Sequence, residues 1–356
     1  MEQRRKNLTQ LFIPICLETL LYMLSGMVDT LMLSSVNDQA VGAVGTANTY
    51  IGIFIIMFSV ISSGMVAVMT QNIGAGRPGV AYQARQLGLA FNAVLGIIMS
   101  LFLSLGAGTI LSGVGVADAL MQPAKTYLQI VGGFCILNAL IPICSSYLRA
   151  FGFSKEPLYA SIIGNVINFC LNAFFLFVLH KGVAGVATAT VISRIINLVI
   201  VVLLGAVLVK AKQHPERESN RAVMGQIIRI GLPSACETAI YNVSMTLVIR
   251  FLNQMDAQGL NVTARSYTMQ ITNFSYCVGA ALAQANAIMT GWHIGAKEYD
   301  ACDRGTKKAA VIGVIVAVIL ETVFTLVPAG LCSCFPKIRR WCRLSVNFWQ
   351  LTSYLR

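Results

Sequence analysis

The chain has 356 residues, of which 56% are hydrophobic and only 11% charged, and its mean hydropathy is +0.72; a soluble domain is about a quarter charged. These values exclude an ordinary soluble domain and point to an all-α polytopic membrane protein. The net charge of +12 does not imply nucleic acid as a partner, because the Lys and Arg fall mainly between apolar spans, where they set orientation.

Residues 1–7 are basic, but the apolar run behind them is too long for a signal-peptide core and lacks a small-residue cleavage site, so it is expected to remain as helix 1. Nine apolar spans follow from the periodicity: 9–33, 41–72, 86–111, 123–148, 158–179, 184–209, 226–251, 262–290 and 309–330. Each is long enough for a hydrocarbon core of about 30 Å at about 1.5 Å per residue. Basic residues crowd alternate loops, including Arg77, Arg85, Arg149, Lys155, Lys210, Lys297 and Lys308 on the side of the N-terminus. That side is therefore expected to be cytoplasmic. The ten Cys are mostly scattered through apolar helices, and Cys332 and Cys334 have no second pair to complete a zinc or disulfide framework.

Helix 1 carries Glu18, Tyr22, Ser25 and Asp29 at i, i+4, i+7 and i+11, one stripe on one face. A carboxylate at membrane depth costs roughly 2.5 to 3.5 kcal/mol, which suggests a water-lined cavity and an ion or proton task. The other reading is that Glu18 only bonds to a neighbouring helix and that Asp29 lies near enough to the outer interface to be wet. Helix 5 has a similar stripe, Ser161, Asn165, Asn168 and Asn172. Counted at 1.5 Å per residue from the outer ends, Asp29 lies at about 6 to 8 Å, Asn172 at about 10 to 12 Å and Thr190 of helix 6 at about 9 Å, so the three share a depth. Two amide oxygens, a hydroxyl and a carboxylate could ligate a small hard cation or hold a proton on Asp29; interhelical hydrogen bonding is the alternative. Arg194, one turn below Thr190, either faces the same cavity and modulates the charge of Asp29 or snorkels elsewhere.

The chain divides into a first six-helix lobe (1–209), a cytoplasmic linker (210–225), a partial second lobe of three helices (226–330) and a basic tail (331–356). Across the linker, Pro14, Glu18, Thr19, Tyr22 and Ser25 recur as Pro233, Glu237, Thr238, Tyr241 and Ser244 at an offset of 219, and Ile73-Gly74-Ala75 recurs as Ile294-Gly295-Ala296 at 221. With an even number of helices per unit the repeat is parallel, and a central cavity is expected between the halves. Asp29 faces Val248 in the second copy, so the outer carboxylate belongs to the first half alone.

Several stretches resemble the multidrug and toxic compound extrusion (MATE) family: Pro14-x-x-x-Glu18 with Gly26-Met27-Val28-Asp29-Thr30, Gln71-Asn72-Ile73-Gly74-Ala75-Gly76-Arg77, Leu148-Arg149-Ala150-Phe151-Gly152, Asn165-x-x-Asn168-x-x-x-Asn172, and the run from Gly182 to Ser193. The resemblance covers residues 9 to about 330. It implies two lobes of the MATE type, the second incomplete here, and export of organic cations and drugs by a secondary transporter, not an enzyme. The exchanged ion would be H+ or Na+, with no cofactor and a monomeric chain in the plasma membrane of a bacterium. It places cation coupling at Asp29, Asn168, Asn172 and Thr190, with Na+ held by the first three, and the substrate cavity at Glu18, Tyr22, Glu237 and Tyr241. Where members carry an acid in helix 5, this chain has Asn172, so Asp29 would carry the coupling alone.

The tail has no acidic residue, five basic ones and two of the three Trp. The family has twelve helices and nine are legible, so the tail reads as truncation through a shifted frame or as an interfacial segment. Two competing readings are a lipid-linked oligosaccharide flippase, which would favour several interior cations, and an inactive fragment of a MATE transporter. A membrane enzyme finds no support in the motifs.

Overall fold

The computed structural model describes residues 6–35, 38–113, 118–209, 216–255 and 260–334, and these are helical almost throughout, with no strand among them. The helices are α1 (Leu8–Ser34), α2 (Asp38–Gly74), α3 (Pro78–Gly113), α4 (Asp118–Tyr127), α5 (Ile136–Ala150), α6 (Lys155–Ala173), α7 (Gly182–Leu208), α8 (Asn220–Met255), α9 (Leu260–Gly295) and α10 (Tyr299–Cys334). Each apolar span of the sequence corresponds to one of them, except that the fourth span is two helices. Among the described residues, four helices are long and apolar enough to cross a bilayer alone, and the bent pair formed by α4 and α5 gives a fifth if taken as one span. Large apolar side chains such as Leu105 and Val207 stand outward, at 83% and 71% exposure. In water that would be a liability; in lipid it is the expected outer surface.

Three corrections to the sequence reading have physical causes. The span 123–148 is not one helix: a π-helical turn, Leu128–Gly132, follows α4, and the chain then bends by 42° before α5. Gly132 and Gly133 sit at the break, and the Ser100 hydroxyl accepts the Ile136 N–H at 3.0 Å, supplying a bond that the helix no longer makes. Helices α3 and α10 begin at Pro78 and Tyr299, before the apolar onsets at 86 and 309, because hydropathy marks only the part of a helix that meets lipid. Pro78 suits the first helical position, where its missing N–H is not needed. The interval 210–225 is partly helical, since α8 starts at Asn220; residues 210–215 lie outside the described residues, as do tail residues 335–356.

Two glycine-associated ends show the repeat in three dimensions. After α2, Gly76 takes φ +76°, with the Arg77 N–H donating to the Asn72 carbonyl at 2.8 Å; after α9, Lys297 takes φ +61°, with the Glu298 N–H donating to His293 at 2.8 Å. Both are left-handed helix stops of one kind. The ends at Gly74, Ala150 and Gly295 and the starts at Leu8, Lys155 and Asn220 share one side of the bundle, the N-terminal end below.

Two apolar cores divide the interior. One joins the halves at the N-terminal end: Leu11, Ile15, Met65, Met69 and Tyr147 pack with Ala281, Ala285, Ile288 and Trp292. The other, toward the opposite end, is built from residues of α1–α7, among them Leu33, Ala43, Phe58, Leu103, Leu128 and Val191. Within the first half Asn92 of α3 donates to the Phe58 carbonyl at 3.4 Å and the Ala139 carbonyl at 3.3 Å. Interhelical bonds in membranes average about 0.6 kcal/mol, and these two are long. Asn92→Leu is therefore expected to cost under about 1 kcal/mol, a shift of no more than a few degrees in thermal melting in detergent.

Candidate functional site

Asp29 lies in the last third of α1, half-buried, and Asn172 lies wholly buried near the end of α6. The Asn172 amide donates to Asp29 Oδ1 at 2.6 Å and to Asn168 Oδ1 at 3.3 Å. Asn172 thus joins the carboxylate of α1 to its neighbour Asn168 one turn back on α6, as i, i+4 spacing allows. Asn165, two turns back on the stripe, donates to the Leu21 carbonyl at 3.3 Å and ties α6 to α1 a second time. The Oδ1 of Asn172 is buried and accepts no hydrogen bond from the described residues. It is an oxygen lone pair aimed into the protein beside a carboxylate.

Tyr127 of α4 and Arg194 of α7 also lie within electrostatic reach of Asp29. Tyr127, 4% exposed, lies near the Asn48 side chain of α2 and the charges of Asp29 and Arg194. Arg194 is near enough to Asp29, Tyr127 and Cys135 to interact electrostatically with all three. This mid-helix guanidinium thus lies within electrostatic reach of the cluster. Thr190 is buried on the same face of α7, but its hydroxyl proton goes to its own Val186 carbonyl at 2.9 Å, leaving only lone pairs for anything else. Tyr127 and Asn48 were not singled out by the sequence. Tyr127 falls in a span without a polar stripe, and only its place just before the Gly132-Gly133 pair sets it apart.

The other candidate residues do not gather around one cavity. Glu18 is taken up by a buried ion pair: Arg149 Nη2 donates to Glu18 Oε2 at 2.5 Å, with the two side chains 8% and 14% exposed. Arg149 Nη1 donates further to Gln284 Oε1 of α9 at 2.7 Å. Arg149, read from the sequence as a loop charge, is in fact in the last turn of α5 and buried, because the turn after it is tucked under α1. There Ser154 Oγ donates to the Gln10 carbonyl at 3.0 Å. Glu237 and Tyr241, the repeat counterparts of Glu18 and Tyr22, are exposed on α8, and Tyr22 is 62% exposed on α1. The repeat preserves these residue types without preserving their surroundings.

The sequence model of MatE matches residues 14–174 and 233–355. The chain belongs to the MatE family. It is 33% identical over 334 residues to the uncharacterized transporter YisQ of Bacillus subtilis (strain 168), covering 91% of this chain and 73% of that protein. It is 24% identical over 317 residues to the probable multidrug resistance protein NorM of Thermotoga maritima, covering 82% of this chain but only 65% of that protein. The fold matches the outward-facing conformation of a multidrug resistance MATE family transporter of the MOP superfamily, with a TM-score of 0.84 over 96% of this chain and 76% of that one at 16% identity. A MOP superfamily transporter from Pyrococcus furiosus gives 0.83 over 95% and 76% at 17% identity. The protein is thus a multi-pass membrane transporter of the MATE type, not an enzyme, with helices of two lobes. The family match includes most of the segment 331–356 that reads as atypical by composition.

Proposed function

We propose that this MATE protein is a cation-coupled antiporter that exports organic cations across a bacterial plasma membrane, its N-terminus in the cytoplasm, in exchange for H+ or Na+. The observation that carries the reading is the 2.6 Å bond between Asn172 and Asp29, an interior carboxylate held at membrane depth by another helix. Such a group is costly without a task. The donors suit either ion. Asp29 can take a proton, with Asn172 as its hydrogen-bond partner; Na+ would be met by Asp29, by Asn168 Oδ1 and by Asn172 Oδ1 if the amide turns over. Orientation is supported by Arg77, Arg85, Arg149, Lys155, Lys297 and Lys308 at the N-terminal end against Lys125 and Lys181 at the other. A flippase for a pyrophosphate-linked lipid would call on several open interior cations, whereas Glu18 neutralises Arg149 and Arg85 is stacked 4.6 Å from the Tyr147 ring.

The test is efflux of a fluorescent organic cation from cells lacking their own pumps, under an imposed proton or sodium gradient. Efflux at least tenfold above the empty-vector rate, driven by one of the two gradients, is expected. Gradient-independent efflux, or none from chain shown to be in the membrane, would remove the antiporter reading.

A further inference from the structure

We propose that Arg85 holds the phosphate of an anionic membrane phospholipid at the N-terminal end of the first half, with the Tyr147 hydroxyl as a second donor. This rests on the membrane setting alone, not on the transport reading. Arg85 lies seven residues into α3, about 10 Å beyond Pro78. Tyr147 of α5 and Gly205 of α7 each lie three residues before the end of their helix. All three are therefore near the level where headgroups meet hydrocarbon. The guanidinium carbon of Arg85 stands 4.6 Å from the centre of the Tyr147 ring and 5.9 Å from that of Tyr82. Tyr147 is itself wedged edge-on against Tyr82 and Phe151, with ring centres 6.4 and 5.1 Å apart, and a Cβ on Gly205 would touch it at 3.7 Å. The rings hold the guanidinium in place, and its N–H groups point away in its own plane, a fork suited to two oxygens of one phosphate.

No described side chain answers the charge of Arg85. Arg77 and Arg149 each pair with a glutamate, whereas Arg85 pairs with no described carboxylate. Its Nε is buried and donates to no described residue, and the hydroxyl of Tyr147, on a side chain 1% exposed, has no described partner either. The Cys144 thiol beside the guanidinium is a weak acceptor. Both bare groups are donors, and buried donors are costly to leave unmet, so an anion satisfies them where an apolar group or a second cation does not. The neighbouring surface points to a lipid as the source of that anion. Gln86, Ala90, Val94, Ile98 and Leu101 form an exposed stripe of α3 that starts beside Arg85 and runs toward the membrane centre. An acyl chain follows such a stripe; a free phosphate ion gains nothing from it. With no described acid at the site, the ammonium of a zwitterionic headgroup would find no partner, which favours an anionic lipid. A single stacked cation at the bundle end holds a resident lipid and, unlike a flippase, offers no path of cations through the interior.

Native mass spectrometry of the purified full chain in mild detergent tests the site, with dioleoylphosphatidylglycerol, dioleoylphosphatidylethanolamine or inorganic phosphate added in turn. The first phosphatidylglycerol is expected to bind about tenfold more tightly than phosphatidylethanolamine, and an equal concentration of inorganic phosphate should not displace it. Arg85→Gln should weaken that first phosphatidylglycerol by about tenfold or more. Arg85→Lys should restore only part of the loss, because an ammonium offers no planar fork. Tyr147→Phe keeps the ring beneath the guanidinium, loses the hydroxyl, and should weaken binding by about 3- to 10-fold. Arg304→Gln, at an exposed cation of α10, should match wild type. Equal affinity for the two lipids, wild-type binding in Arg85→Gln, or an equal loss in Arg304→Gln would each overturn the site. Displacement by inorganic phosphate would assign the anion to solution and overturn the lipid. If Arg85→Gln does not fold, unchanged binding in Tyr147→Phe overturns the site instead. Lipid binding is read without any transported compound, so a selective response in a chain that exports nothing keeps the site and removes only the antiporter reading.

Discussion

Asp29→Asn is expected to reduce gradient-driven export at least tenfold while leaving the fold in place. The substitution keeps the size of the side chain and the Oδ1 that accepts from Asn172 at 2.6 Å, so the α1–α6 contact survives. It also removes a charge whose presence at membrane depth costs roughly 2.5 to 3.5 kcal/mol, so insertion should not suffer. What it removes is the one carboxylate described in the cluster, the group that can take a proton near neutral pH or neutralise a cation. Asn168, Asn172 and Thr190 cannot do either, and Arg194 has the wrong sign. The measurement is the initial rate of export from proteoliposomes, in both gradients, with the amount of inserted protein matched. Undiminished gradient-driven export would move coupling to another acid. Glu18 is held by Arg149, and Glu237 lies exposed on α8, so the repeat offers no obvious substitute.

The second large effect is expected at the buried ion pair. Arg149→Gln leaves Glu18 without its cation in a site where it is only 14% exposed, and losing one partner of such a pair costs about 3 to 5 kcal/mol. It also loses the bond to Gln284, so both halves are affected. Glu18→Gln should cost somewhat less, because Arg149 retains Gln284. The double variant Glu18→Gln with Arg149→Gln should recover most of the loss, since two facing amides can bond to each other and no charge is left buried. Thermal unfolding in mild detergent checks the cycle: the single Arg149 variant should melt lower by on the order of 10 °C, with the double variant between it and wild type. Additive losses would mean that the two side chains act independently despite the 2.5 Å contact.

These two pairs mark where sequence reasoning reached and where it stopped. Asp29 and Asn172 could be brought together by counting residues from the ends of two uninterrupted apolar runs, because depth in a bilayer converts directly into helical rise. The same counting fails for Glu18 and Arg149. Glu18 lies about 15 Å along α1, whereas Arg149 is one residue from the end of α5 and looks like an interfacial charge. They meet because the turn after α5, Phe151-Gly152-Phe153-Ser154, is drawn inward, with Gly152 and Ser154 buried and both Phe packed on the core, a signal that counting Arg149 as a loop charge passed over. Likewise Gly74 and Gly295 were legible as repeat mates through their neighbours Ile and Ala. That a Cβ on either would overlap a carbonyl of the other's helix depends on the placement of the axis, which no local pattern carries. The spans themselves were legible because lipid demands a long apolar run; their ends were not, because backbone hydrogen bonds continue a helix past the lipid without regard to polarity.

The two π-helical turns have a consequence for how this chain can vary. Leu128–Gly132 follows Tyr127 directly, and Phe174–Val178 begins two residues after Asn172, so both flank residues of the Asp29 cluster. A π turn is how a helix accommodates one surplus residue, and one residue is about 100° of rotation. Tyr127 and the buried face of α5 are therefore set in phase by a residue count, not by the chemistry of the five residues between them. Apolar replacements within 128–131 would preserve that phase, whereas at Gly132 a Cβ would stand 3.0 Å from the Leu103 side chain. Deleting a single residue there would rotate Tyr127 relative to α5 by about 100° without altering one side chain of the cluster.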